Sequence, residues 1–124
     1  MNGLKEEDLE LSEYAQYYGT LNYYKGWLGV SLTDGVKYVS DNGYSWLVTD
    51  CISVIKAHKK VKEYLKEQTF LVVELILKEG KKALMRITDG NNNILYEQKY
   101  DYTDAKKEFK MFFCNNVLML NGEY

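Results

Sequence analysis

Few residues in this chain could do chemistry, and their spacing does not favour it. The nitrogen and sulfur ligands are Cys51, Cys114 and one histidine, His58. A zinc site wants about four N or S ligands, or three plus water. Neither cysteine sits in a ligand-spaced pair, so buried free thiols are the expectation. Cys51 and His58 would share roughly one helical face, but about 10 Å apart along the axis at 1.5 Å per residue, too far for a nucleophile and its base. His58 therefore reads as a packed, satisfied side chain. Thr-Asp-Gly occurs at 33–35 and 88–90, and Thr-Asp at 103–104. Asp34, Asp89 and Asp104 could gather around a hard cation, but no calcium-loop spacing is present and three separate turns or caps is the plainer reading. Asp34 with Asp50 could serve acid–base work only with tuned pKa values and a pocket. No glycine-rich phosphate loop is present. The expectation is no catalytic residue, no metal and no cofactor.

Two groups could instead make contacts. Lys56, Lys59, Lys60, Lys62 and Lys66 form a basic run. It could meet phosphate or an acidic protein face, or simply be a solvated helix end. Tyr17, Tyr18, Tyr23, Tyr24, Trp27, Tyr38, Tyr44 and Trp46 fall within thirty residues. Part of that group belongs in a core; the rest would anchor an interface or stack on bases. The candidate partner-binding residues are Tyr23, Tyr24, Trp27, Lys37, Tyr38, Trp46, Lys56, Lys59, Lys60 and Lys62. Twelve tyrosines and no proline suit a contact surface, though an AT-rich genome would also favour tyrosine.

The elements that would position these residues can be outlined. Residues 1–18 read as an acidic, amphipathic helix, prone to fray. Residues 20–32 read as an extended piece and a turn, broken by Gly26 and Gly29. Thr33 or Asp34 would cap a helix over 34–41, and Asp41-Asn42-Gly43 would end it. Residues 44–57 give the clearest helix, with Leu47, Cys51, Val54, Ile55 and His58 in one apolar stripe that runs on into the lysines. Residues 70–77 read as a central strand, 82–88 and 94–102 as a hairpin around Asp89–Asn93, and 109–114 with 117–120 as a second hairpin around Asn115-Asn116. The expected fold is α+β, with N-terminal helices packed on a four- to five-stranded antiparallel meander. Strand 109–114 or 117–120 could be an edge that pairs in a homodimer.

Composition sets the outer bounds. At 124 residues and 46% hydrophobic, the chain fits a single domain, 1–124, with its own core. A net charge of −2 does not favour direct nucleic-acid binding or mimicry of DNA charge. No apolar run approaches the roughly 20 residues of a membrane span, and the acidic start is not a secretory signal. A cytoplasmic protein is expected.

Gly19-Thr20-x-x-Tyr23-Tyr24, Leu32-Thr33-Asp34-Gly35-Val36-Lys37-Tyr38, Trp46-Leu47-x-x-Asp50, Tyr102-Thr103-Asp104 and Val117-Leu118-Met119-Leu120 with a closing Glu-Tyr together resemble an uncharacterised domain family. It is found on phages, plasmids and bacterial genomic islands. The resemblance covers roughly residues 15–124, leaving the acidic segment outside. The Thr-Asp-Gly-Val-Lys-Tyr block and the Val-Leu-Met-Leu ending carry it most specifically. It implies no assigned activity. It implies a genomic setting in which small accessory proteins block host defence. The functional expectation is therefore a stoichiometric, non-enzymatic inhibitor of a bacterial defence system, of anti-CRISPR type, contacting a host protein or ribonucleoprotein in the host cytoplasm. The alternatives are a small-ligand protein that sequesters a nucleotide and a metal-dependent hydrolase using Asp34, Asp50 and Asp89.

Overall fold

Phe70-Leu-Val-Val-Glu-Leu-Ile-Leu is apolar on both faces for most of its length, and it lies in the interior of the sheet with a strand on either side. The computed structural model describes residues 22–123. In chain order its strands are β1 (Tyr23–Lys25), β2 (Ser31–Thr33), β3 (Phe70–Lys78), β4 (Lys82–Thr88), β5 (Ile94–Tyr100), β6 (Phe109–Cys114) and β7 (Val117–Leu120). Its helices are α1 (Asp34–Val39), α2 (Ser45–Ala57) and α3 (Lys59–Leu65). The acidic segment 1–18, with Tyr17 and Tyr18, lies outside the described residues.

All seven strands make one sheet in the order β1-β2-β7-β6-β3-β4-β5. Every neighbouring pair is antiparallel except β2 with β7, which is parallel. The expected fold of N-terminal helices on a four- to five-stranded antiparallel meander is thus corrected to a seven-stranded mixed sheet with one long helix and shorter ones. Two physical causes account for the difference. First, β6 does not continue the meander beside β5 but crosses back to pair with β3. The order β6-β3-β4-β5 is a Greek key, in which the fourth strand returns to lie beside the first. Second, the glycine-broken segment before the helices supplies two three-residue strands that extend the sheet beyond β7. Consequently β6 and β7 are both interior, and among the described residues the edges are β1 and β5. Neither strand expected to pair in a homodimer has a free edge.

Alternation along the strands sends Leu71, Val73 and Leu75, with Met85, Ile87, Met111 and Leu118, into the core against Leu47, Cys51 and Ile55 of α2. On the opposite face Lys110, Glu74, Arg86 and Glu97 stand in one cross-strand row. Its ends close as Arg86–Glu97 at 2.7 Å and Lys110–Glu74 at 3.7 Å.

Thr33 caps α1, its Oγ1 accepting from the Val36 amide at 3.4 Å. The anticipated exit at Asp41-Asn42-Gly43 is a kink between α1 and α2, with Gly43 at φ 103°. The lysine run does not prolong α2. His58 is extended (φ −74°, ψ 127°) and breaks the helix, and α3 begins at Lys59. His58 packs edge-on against Tyr96, with ring centroids 4.8 Å apart. Its Nδ1 is enclosed without a hydrogen-bond partner among the described residues, so the histidine is packed but not satisfied.

Candidate functional site

The chemistry-bearing residues are scattered. Asp34 opens α1 and accepts from the Asn22 amide at 3.3 Å. Asp89 folds the β4–β5 turn, accepting from the amides of Asn91 at 2.7 Å and Asn93 at 3.2 Å and from Asn93 Nδ2 at 2.7 Å. Those bonds, led by the Asn93 side chain, hold its carboxyl below the ordinary range. Asp104 accepts from the Tyr102 hydroxyl at 3.0 Å on the β5–β6 connection. Among the described residues no three His, Cys, Asp or Glu side chains gather as a metal site. The Cys51 thiol is buried, and burial first, then the nearby Asp50 charge, pushes its pKa far up. It is an inert core group.

The two most specific blocks of the sequence pattern meet in space. The Glu123 carboxylate accepts from Thr33 Oγ1 at 2.6 Å and the Leu120 amide at 2.8 Å through Oε1, and from the Gly35 amide at 3.0 Å through Oε2. A Cβ on Gly35 would lie 2.6 Å from Glu123 Oε1 and 2.7 Å from Leu120 Cδ1. Thr-Asp-Gly and the closing glutamate therefore form a buried clamp between the start of α1 and the end of the sheet. The clamp is structural, since every oxygen faces a donor of the chain itself.

The candidate contact residues divide among several places. Tyr38 is 8% exposed and belongs to the core, which removes it from any surface. Tyr24 and Lys37 lie together by the edge strand, the ammonium 5.8 Å from the ring centroid. Lys37 also pairs with Asp41 at 2.7 Å. The Tyr24 phenol is held above its ordinary pKa by a hydrogen bond to Asp34. Trp46 sits near the start of α2. Lys60 reaches the Ile94 carbonyl at 3.3 Å, and Lys59 is exposed at the start of α3.

Lys56 and Lys62 line one groove, and the turn that carries Trp27 is tied to Lys56 through Asn116, a residue missed from sequence. The turn Trp27–Gly29 projects Trp27, 54% exposed, and Leu28, 50% exposed, from the surface, with Tyr23 also 63% exposed on β1. Leu28 is left-handed, φ 53° and ψ 31°, a conformation costing a non-glycine residue roughly 1–2 kcal/mol. The turn is pinned on all sides. Gly26 N donates to Val30 O at 2.7 Å, Trp27 Nε1 to Ser53 Oγ at 3.2 Å, and Asn116 Nδ2 to Gly29 O at 3.0 Å. Asn116 also receives Lys56 Nζ at 2.9 Å. Its place follows from the Asn115-Asn116 turn, both residues left-handed at φ 51° and 66°, the two-residue hairpin turn that the sequence announced.

Beside this knob lies a groove of about 420 Å3 between the end of α2, α3 and that hairpin turn. Ile55, Leu65 and Phe113 line it with apolar surface, Lys56, Lys62 and Lys66 with positive charge, and among the described residues no acidic side chain lines it. Outside it, Lys66 pairs with Glu63 at 3.1 Å. Asn116 and Leu28 carried no sequence signal beyond turn propensity. Lys66 was visible as part of the basic run.

A family model described as a family of unknown function (DUF6876) matches residues 8–124, and the chain belongs to that family. The resemblance to an uncharacterised small domain family is therefore correct. The match begins at Asp8, so it takes in much of the acidic segment that the sequence pattern left outside. No curated protein and no solved structure matches the chain. Among the described residues no helix is long and apolar enough to cross a membrane.

Proposed function

We propose that this protein acts by stoichiometric protein–protein contact, with Trp27 and Leu28 as anchors and the lysine-rimmed groove beside them receiving an acidic segment of the partner. The observation that carries this reading is the Trp27–Leu28 turn. It holds two large apolar side chains half in water, on backbone that is left-handed at a leucine. Strain of that kind persists only where the surroundings impose it, and it concentrates at functional sites. Rigid aromatic and aliphatic anchors lose little entropy on binding. The three groove lysines favour a partner with carboxylates around an apolar side chain, and they would steer its approach.

Within this reading, the form implied by the sequence resemblance is a phage or mobile-element accessory protein that blocks a bacterial defence system, such as a CRISPR effector, by covering a partner. The nucleotide-sequestering alternative finds less support at this site. Among the described residues Phe113 is the one aromatic lining the groove and is 5% exposed, so a base inside the groove would find little ring face to stack on.

The test is capture of partners from bacterial lysate by the full chain, alongside a Trp27→Ala/Leu28→Ala variant and a Lys56→Glu/Lys62→Glu variant. The expected result is one stoichiometric protein held by the wild type and weakened at least tenfold by each variant, with melting temperatures preserved. Retention of that protein by both variants, or no protein partner with the wild type, would sink the proposal.

A further inference from the structure

A second cleft, of about 510 Å3, opens near the other end of α2 and has the opposite chemistry. Trp46 and Tyr100 wall it, meeting edge-on with ring centroids 4.9 Å apart at 73°. The Trp46 indole is fixed by the helix kink, its Nε1 donating to the Gly43 carbonyl at 2.9 Å. Asp50 faces the cleft from the middle of α2. Its Oδ2 accepts from the Tyr100 hydroxyl at 2.7 Å and from Gln98 Nε2 at 3.4 Å. Its Oδ1 has no hydrogen-bond partner among the described residues. At the rim stand Tyr102, 65% exposed, and the Asp104 carboxylate. Among the described residues no lysine, arginine or histidine lines this space.

Aromatic walls with an available carboxylate and no basic lining residue select one charge class. An anion would meet Asp50 inside the cleft and Asp104 at its rim, with Lys81 and Lys106 only on the outer side of Asp104. A hard metal ion wants six or more oxygen ligands in the calcium case, and the acidic side chains here are two. A cation carried on carbon can draw on aromatic ring and carboxylate together, because ring quadrupoles attract ammonium and guanidinium groups. The same packing is already in use at the rim, where the Lys81 ammonium lies 5.7 Å from the Tyr102 ring centroid. We infer that the cleft between Trp46, Tyr100 and Asp50 is a binding site for an organic cation, an alkylammonium or guanidinium group, with Asp50 Oδ1 as its hydrogen-bond acceptor. The group can belong to a free small amine or to a lysine or arginine side chain of another protein; the chemistry of recognition is the same.

The chain contains two tryptophans, so a Trp27→Phe background leaves Trp46 as the sole indole reporter. Its fluorescence would be followed during titration with ethylammonium and ethylguanidinium chloride. A peptide with one internal arginine is the second arm, and sodium chloride and the neutral amide propanamide are controls. The expected result is a saturable change with a cation arm, absent from both controls, and weakened at least tenfold by Asp50→Asn. That substitution keeps an oxygen for the Tyr100 hydroxyl and should leave the fold intact, which the melting temperature checks. Asp104→Asn, at the exposed rim, should weaken binding less than Asp50→Asn. Saturation by the free cations assigns a small-molecule site, and saturation by the peptide alone assigns a side chain of a partner. No saturable response in either arm, an equal response to propanamide, or unchanged affinity in Asp50→Asn overturns the inference.

Discussion

Removing the Glu123 carboxylate should unfold this protein far more readily than its place in the last turn suggests. The side chain takes three hydrogen bonds, from Thr33 Oγ1, Gly35 N and Leu120 N, at 2.6 to 3.0 Å. A hydrogen bond to a charged group contributes roughly 1.5–3 kcal/mol. The three are not additive, and removing the acceptor leaves the donors of Thr33, Gly35 and Leu120 unsatisfied, at a cost of roughly 1–3 kcal/mol for each that stays buried. Glu123→Ala is therefore expected to lose about 3–5 kcal/mol. For a chain of this size, where 1 kcal/mol moves the midpoint by roughly 4 °C, that is a fall of about 12–20 °C. Glu123→Gln keeps one oxygen for Thr33 and Leu120 but can set an amide donor against the Gly35 amide, so its loss should be about 1–2 kcal/mol. Urea unfolding with calorimetry gives both values. Gly35→Ala completes a double-mutant cycle, since its Cβ would meet Glu123 Oε1 at 2.6 Å. That change should cost less in the Glu123→Ala background than in the wild type, by at least about 1 kcal/mol. A Glu123→Ala loss below about 1 kcal/mol, or full additivity with Gly35→Ala, would refute the clamp.

Leu28→Gly should raise stability by roughly 0.5–1 kcal/mol by relieving left-handed backbone at a leucine, while weakening partner capture; a melting curve beside the capture assay reads both. Ellman's reagent should label the half-buried Cys114 in the native protein and reach the buried Cys51 only after denaturant is added, and two equally fast thiols would contradict the packing. Burial, with the charge of Asp50, raises the pKa of Cys51 above its ordinary 9.0 and that of Tyr100 above its ordinary 10.0. A raised folded-state pKa gives stability that is complete below the ordinary value and lost as pH climbs beyond it. The melting temperature should therefore hold to about pH 8 and then decline, and Tyr100→Phe should make that alkaline decline shallower.

The strands from β3 onward were legible because each carries its own signal. β3 is apolar on both faces, β5 alternates, and Asn115-Asn116 marks its turn. What the sequence could not give is pairing. Nothing local in Phe109–Cys114 says that it skips β5 and returns to β3, since that choice is made by the facing core surfaces of Met111 with Val73 and Phe113 with Leu71. β1 and β2 are three residues each, too short for a period, and the parallel join of β2 to β7 links residues over eighty positions apart. The break at His58 had no glycine or proline to announce it. Tyr38 and Tyr23 look alike in sequence, yet one lies in the core and the other in water, because only tertiary packing decides which face of a short element is covered. For the same reason the lysines and aromatics were readable as a type of surface but not in their placement: Lys56 and Lys62 share a groove, and Asn116, which ties the Trp27 turn to Lys56, is marked in the sequence only as a turn residue.

The two clefts depend on one rigid part. Leu47, Cys51 and Ile55 fix α2 against the sheet, all within 2% of full burial. That leaves its flanks to carry Asp50 into the aromatic cleft and Lys56 into the groove. Six residues separate them along the axis, about 9 Å of rise. The order of charge suits the helix itself, since cations near a C-terminus complement its dipole. It also keeps an acidic and a basic site apart while both report on the seating of one helix. A substitution that shifts α2 would disturb both sites together, whereas a change confined to one lining should leave the other intact. The proposed contact through Trp27 and the proposed recognition of a cation beside Trp46 should therefore be separable by mutation, although both rest on the same core.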